Sequence, residues 1–186
     1  MPIFRTTGKP HDLAVSMAGI KMGDRVLQVG CRNPGMFATF GLQVGFSGHS
    51  CALVETKETA DRAKNAAART GALIEVDVGS FDELPYEDEL FNLVILWDAI
   101  SSIQPRLRVT CLREVRRVLA AGGRCLIIEA AERGGLGALF SKRSIDQFYA
   151  SSGGAEPSLR GEGFVAVRRL GEGEDLAFTE GTKPRS

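Results

Sequence analysis

The chain has 186 residues, with 23 basic and 23 acidic side chains and a 44% hydrophobic share. That length suits one domain with a full core. The charge balance gives no sign of a nucleic-acid surface or a charged tail, and no apolar run reaches the length of a membrane span. Cys31, Cys51, Cys111 and Cys125 stand singly, without C-x-x-C spacing. Buried free thiols in a reducing cytoplasm are therefore expected, with no metal site and no disulfide. The first residues lack a charged-then-apolar leader pattern, which adds to the cytoplasmic expectation.

Residues 1–10 are polar. Leu13, Ala14, Met17, Ala18 and Ile20 then recur at helical spacing and predict a short helix over 11–20. Met22-Gly23-Asp24 turns the chain into an apolar strand over 25–29, followed by a turn bounded by Gly30 and Gly35. Asn33 suits an N-cap and Pro34 the first helical position. Met36, Phe37, Phe40 and Val44 form the apolar stripe of a helix over 36–46. A second strand over 49–55 ends in Glu55, and Thr56 caps a helix over 57–69 with Ala60, Ala63 and Ala67 inward. A third strand over 72–78 carries Asp77 near its carboxyl end. The stretch 80–90 is irregular around Leu84-Pro85-Tyr86, and a strongly apolar fourth strand over 91–97 leads to Asp98.

Pro105 opens a helix that runs to about residue 121, with Leu112, Val115, Val118 and Leu119 inward. Arg106, Arg108, Arg113, Arg116 and Arg117 fall on its other side, which reads as a solvated face because Glu114 is interleaved. Gly122-Gly123 is expected to cap this helix before a fifth strand over 124–130. A glycine-rich loop over 130–140 has the composition of a lid. A helix over 144–150 with Ile145, Phe148 and Tyr149 inward and a flexible connection over 151–154 follow. Two strands over 163–170 and 174–179, joined by Gly171-Glu172-Gly173, close the chain as a hairpin.

Strands alternating with helices at this spacing imply right-handed crossovers. The expected class is α/β: a Rossmann-like doubly wound sheet of seven strands, mostly parallel, with a C-terminal antiparallel hairpin. In such a sheet ligands bind beyond the strands' carboxyl ends. The Gly30–Gly35 turn, Glu55 and Asp77 all fall there, after strands one, two and three. Glu55 lies about twenty residues past the turn, where an acid accepts hydrogen bonds from a ribose diol. Asp77 stands where an exocyclic adenine amine would be met. One turn and two acids describe a nucleoside pocket.

The run Val26-Leu27-Gln28-Val29-Gly30-Cys31-Arg32-Asn33-Pro34-Gly35 resembles the first motif of class I S-adenosylmethionine-dependent methyltransferases. Asp77, Leu84-Pro85-Tyr86 and Phe91-Asn92-Leu93-Val94 resemble their third and fourth motifs. Residues 112–119 with Gly122-Gly123-Arg124 resemble the helix and turn before their fifth strand. The closest likeness is to the small-molecule branch that includes quinone-biosynthesis enzymes, and it extends from Asp24 to the end of the chain. The resemblance implies one domain over 1–186: an N-terminal helical extension (1–23), a cofactor-binding half (24–130), and a loop, helix and hairpin (131–186). It implies S-adenosyl-L-methionine as cofactor and a small-molecule methyl acceptor, without nucleic acid. Gly30 and Gly35 would flank the methionine part, Glu55 would hold the ribose, and Asp77 the adenine amine with Val78 packed nearby. Trp97 and Asp98 would border the methionine end and the acceptor.

Two departures leave alternatives open. Gln28 stands where the family usually has an acid, and Arg32-Asn33 lengthens the turn, so the local field is less welcoming to the cofactor's cations. A non-catalytic or weakly binding scaffold on the same fold is one alternative, and an NAD(P)-dependent oxidoreductase is another. Asp98, Tyr149 and His11 are the candidates for a general base, if one is needed.

Overall fold

The computed structural model describes residues 11–30, 33–131, 149 and 153–185. The elements run α1 (Asp12–Ala18), β1 (Arg25–Val29), α2 (Pro34–Val44), β2 (His49–Val54), α3 (Lys57–Thr70), β3 (Glu75–Val78), β4 (Phe91–Trp97), α4 (Ala99–Ser102), α5 (Pro105–Val118), β5 (Leu119–Ala130), α6 (Ala155–Gly161), β6 (Val165–Gly173) and β7 (Leu176–Thr182). The seven strands form one sheet in the order β3-β2-β1-β4-β5-β7-β6. Pairs from β3 through to β5 are parallel, and β7 is antiparallel to both β5 and β6. The expected doubly wound architecture is present.

Alternation along the strands divides the sheet between two helical layers. Leu27, Leu53, Val94 and Ile127 pack toward α5 and α6, with Cys111, Leu112, Val115 and Leu159. Val26, Leu93, Ile95 and Ile128 face the other way, with Ala14 and Ala18 of α1 and Phe40 of α2. Central parallel strands covered on both faces read as continuous apolar runs, and β1 and β4 have the limits their sequences suggest. The small side chains of Ala60, Ala63 and Ala67 are buried and let α3 lie close over β2. Asn33 and Thr56 cap α2 and α3, accepting from the N–H groups of Gly35 and Thr59.

Several expectations change. The helix after Pro105 ends at Val118, and Leu119 already pairs with Phe91. Gly122-Gly123 is therefore no helix cap. It lies inside β5, beside the register shift between Phe91 and Leu93. Gly122 has φ +76, and a Cβ on Gly123 would come within 2.8 Å of the Ala120 carbonyl. The pair serves an irregular strand whose Gly122 N–H and Gly123 carbonyl bond to Lys183. The third strand is shorter than expected and begins at Glu75. The hairpin turn sits at Glu174-Asp175, both at positive φ, and Gly171 and Gly173 belong to β6. Two left-handed residues in succession match the twist of the flanking strands. The short α6 was not expected. Pro157 lies in its first turn, where a missing N–H costs nothing. The loop over 132–140 and most of the helix over 144–150 lie outside the described residues.

The arginine face of α5 is not wholly solvated. Arg108 is buried, donating to the carbonyls of Ile100 and Ile103. Arg117 forms a fork with Glu114 and donates to Asp88 and to the carbonyls of Leu84 and Tyr86. Glu114 in turn accepts from the Leu84 N–H. This i, i+3 pair fixes the irregular stretch between β3 and β4.

Candidate cofactor and acceptor pockets

The order of the sheet reverses between β1 and β4, the switch point at which open α/β sheets bind ligands. Gly30 follows β1 there, with φ +74. A Cβ on it would stand 3.1 Å from the Ala99 Cβ and 3.4 Å from the Trp97 carbonyl. The glycine therefore keeps open a crevice that any side chain would enter. Cys31 and Arg32 lie outside the described residues. A cavity of about 200 Å³ opens beside Gly30, between Val54, Glu55 and Phe81 on one side and Trp97, Asp98 and Ser102 on the other.

Asp98 is buried and holds φ +51, a conformation that non-glycine residues seldom adopt. Its N–H donates to the Ile128 carbonyl at 2.8 Å, which ties the end of β4 to β5. Trp97 packs edge-on against His11, with ring centroids 5.8 Å apart, and tilted against Phe40. The Asn33 amide oxygen is taken by the Gly35 N–H, so its nitrogen faces His11 Nε2 at 3.0 Å as the donor. That contact occupies the lone pair His11 would need as a base.

The structure gathers Gly30, Glu55, Trp97 and Asp98 around one cavity. It leaves the other expected cofactor residues outside that lining. Gln28 is buried within β1 and faces the Phe37 carbonyl of α2. The Gly35 N–H serves Asn33. Asp77 lies on β3, where it accepts from the Tyr86 phenol at 2.9 Å, and Val78 is half exposed on the other face of that edge strand. Burial and the Asp77 carboxylate hold the Tyr86 phenol protonated.

A second cavity, of about 290 Å³, lies beyond the carboxyl end of β5. Its walls include Glu129, Tyr149, Gly154, Arg169 and Thr179. Burial pushes the Glu129 carboxyl up to about 7, with the neighbouring Asp98 charge adding to the rise. The Tyr149 phenol and Arg108 pull in the opposite direction. One Glu129 oxygen is buried with no hydrogen-bond partner among the described residues. The Arg108 guanidinium sits 4.9 Å over the Tyr149 ring. Burial and the Glu129 charge keep the Tyr149 phenol protonated, so Tyr149 is a donor and not a base. Sequence reasoning missed Glu129. The signal was there: one acid closes the apolar run Cys125–Ile128 as Glu55 closes Cys51–Val54.

The two cavities have distinct chemistry. The first offers a carboxylate for a vicinal diol, apolar walls at Val54 and Phe81, a cradle at Gly30, and a second carboxylate for a cationic end. These residues fit a nucleoside sulfonium. The second offers a proton acceptor poised near neutrality.

A family model described as a methyltransferase domain matches residues 26–123. The sarcosine/dimethylglycine N-methyltransferase of Halorhodospira halochloris is 38% identical over 71 residues, which is 38% of this chain and 25% of that protein. The chain thus aligns with only about a quarter of that relative's length. Among solved structures, a SAM-dependent methyltransferase from Aquifex aeolicus superposes with a TM-score of 0.68 at 20% identity, over 94% of this chain and 89% of that one. The [4+2]-cyclase SpnF superposes with a TM-score of 0.65 at 17% identity, over 94% and 80%. At such identities the superpositions speak for the fold alone. Among the described residues no helix is long and apolar enough to cross a membrane. The family match runs from the first strand through the switch point to the glycines of β5, and on that span the chain belongs to the methyltransferase-domain family of class I, with S-adenosylmethionine as its cofactor.

Proposed function

We propose that this protein methylates the nitrogen of a small amine. The observation that carries the reading is Glu129: a half-buried carboxyl with one oxygen enclosed, poised near pH 7, in a cavity of small-molecule size next to Asp98. An amine acceptor is protonated at neutral pH and must lose a proton before its lone pair can attack. Glu129 accepts that proton, becoming a neutral carboxylic acid, which its burial favours. Arg108 and the Tyr149 phenol keep enough of the carboxylate form for the step to begin. Arg169, which lines the same cavity and pairs with Glu172, suits an acceptor whose carboxylate takes over that pairing. The N-methyltransferase relative, which acts on sarcosine and dimethylglycine by its name, supports this acceptor class.

On the cofactor side, Glu55 is the residue for the ribose diol and Gly30 the cradle. Asp98 faces the cationic end, and Trp97 and Phe81 shut out water. Asp77, engaged with Tyr86, supports the edge of the sheet instead of the adenine. S-adenosylmethionine supplies a methyl group on a sulfonium, so the protein's task is alignment more than activation.

The test is release of S-adenosylhomocysteine from the purified protein with S-adenosylmethionine and a panel of glycine, sarcosine, simple amines and phenols. Turnover confined to amines and lost in Glu129→Gln supports the reading. Turnover of a phenol that Glu129→Gln leaves unchanged overturns it. The scaffold reading keeps one observation in its favour: Gln28, in place of the family's acid, is spent on α2. A folded protein that binds neither S-adenosylmethionine nor S-adenosylhomocysteine is its signature.

A further inference from the structure

At the opposite end of the sheet from these cavities, three side chains of different chemistry converge. His49 and Cys51 stand two residues apart on β2 and so point to the same face. Glu75 is the residue of β3 paired with Cys51. His49 Nε2 lies 3.1 Å from the Cys51 sulfur and 3.4 Å from a Glu75 carboxylate oxygen, and all three atoms fall within 4.8 Å of one another. Cys51 is buried, while His49 and Glu75 are open to solvent and leave an entry path. Asp77 lies two residues along β3 and Arg25 opposite His49 on β1.

We propose that His49, Cys51 and Glu75 form a zinc site that staples the edge strand β3 to β2. An imidazole, a thiolate and a carboxylate are the ligand types Zn²⁺ takes, with bonds of about 2.0–2.1, 2.3 and 2.0–2.2 Å. A tetrahedral ion on those bonds separates nitrogen from sulfur by about 3.6 Å and nitrogen from oxygen by about 3.4 Å. The second spacing is already present, and the first needs about half an ångström of opening, well within the freedom of a half-exposed imidazole. The thiolate and carboxylate cancel the ion's charge, and water completes the fourth position. Binding exchanges one proton for the metal: the Cys51 S–H bond breaks, the S–Zn bond forms, and the proton leaves to solvent. A four-residue edge strand with a single buried residue is where such a clamp has most effect.

The test is titration of the purified, metal-stripped full chain with Co²⁺, followed by Zn²⁺. A thiolate-to-cobalt charge-transfer band in the near ultraviolet that saturates at one equivalent, and that Zn²⁺ displaces, is expected. Cys51→Ser should remove the band and Cys125→Ser should keep it. His49→Gln alters an exposed residue and is expected to fold, while weakening Co²⁺ at least tenfold. Zn²⁺ at a hundredfold excess over its dissociation constant should raise the wild-type melting temperature by roughly 5–10 °C, and the same concentration should raise that of His49→Gln by no more than about half as much. A band that survives Cys51→Ser, no band at all, or a Zn²⁺ shift equal in wild type and His49→Gln overturns the proposal.

Discussion

Glu55 and Glu129 occupy equivalent positions at the carboxyl ends of β2 and β5, yet they meet opposite surroundings. Glu55 is exposed at the mouth of its cavity. Glu129 is largely enclosed, with Asp98 on one side and Tyr149 and Arg108 on the other. On the proposed function, the same carboxyl group is a hydrogen-bond acceptor in the first setting and a proton acceptor in the second. The difference comes from position: Glu129 is still within β5, in a cavity walled by Tyr149 and by Ala177 and Thr179 of β7, whereas Glu55 lies one residue past the end of β2. Environment, not residue type, divides the labour.

The contrast can be broken from either side. The largest expected effect is Glu129→Gln, which should lower turnover by about 10²–10⁴-fold while leaving S-adenosylmethionine affinity nearly unchanged. In the wild type, kcat/KM should rise with pH through about 7 as Glu129 ionises, and the variant should lose that limb. Glu55→Ala should do the reverse. Loss of hydrogen bonds to a charged group, worth about 1.5–3 kcal/mol, weakens cofactor binding by roughly 10–100-fold in a calorimetric titration. Turnover at saturating cofactor should move little. If both variants lose affinity alike, the two acids share one site and the division fails.

Gly30→Ala should destabilise the fold by about 1–2 kcal/mol, seen as a lower denaturant midpoint, because the left-handed torsion and the Ala99 contact both resist a Cβ. A further effect is one of stability and follows from the raised Glu129 pKa. Below about 4.5 the carboxyl is protonated in folded and unfolded chains alike. Between there and about 7 the unfolded chain releases its proton first, so wild-type stability falls as pH rises through that window. Glu129→Gln should therefore match the wild type near pH 4 and exceed it near pH 8, by an amount on the order of 1 kcal/mol. The smallest effect expected is that of Asp77→Asn, less than about threefold on cofactor affinity, since its partner is the Tyr86 phenol at an exposed edge. A large loss there would return Asp77 to the adenine.

These residues also show where sequence reading succeeds. Asn33, Thr56 and the Ala60, Ala63 and Ala67 stripe were legible because caps and helical faces are settled within a few neighbours. Gly122-Gly123 was not, because a glycine pair after a helical run reads the same as a cap or as a strand irregularity. The deciding partner, Lys183, lies some 60 residues away in sequence. The hairpin turn was misplaced because Glu174-Asp175 adopts left-handed torsions without a glycine, while two glycines stood nearby as a decoy. Arg108 and Arg117 looked like surface charge until the carbonyls they serve came into view. That Gly30, Glu55, Trp97 and Asp98 would meet around one cavity could be expected from the motif order. Glu129's place after an apolar run was visible too, but its raised pKa was not, since that depends on burial and on Asp98, Tyr149 and Arg108, which no local pattern connects to it.

The hydrogen bond from the Asp98 N–H to the Ile128 carbonyl has a bearing on how such a protein diversifies. It is made by backbone atoms alone, so the span between the two cavities is indifferent to the side chains around it. On the proposed function, Arg169, Ala177 and Thr179 could then be exchanged to admit a new acceptor without altering how far a methyl group must travel. Reach would be held by main chain, and substrate choice left free to drift along the second cavity's wall.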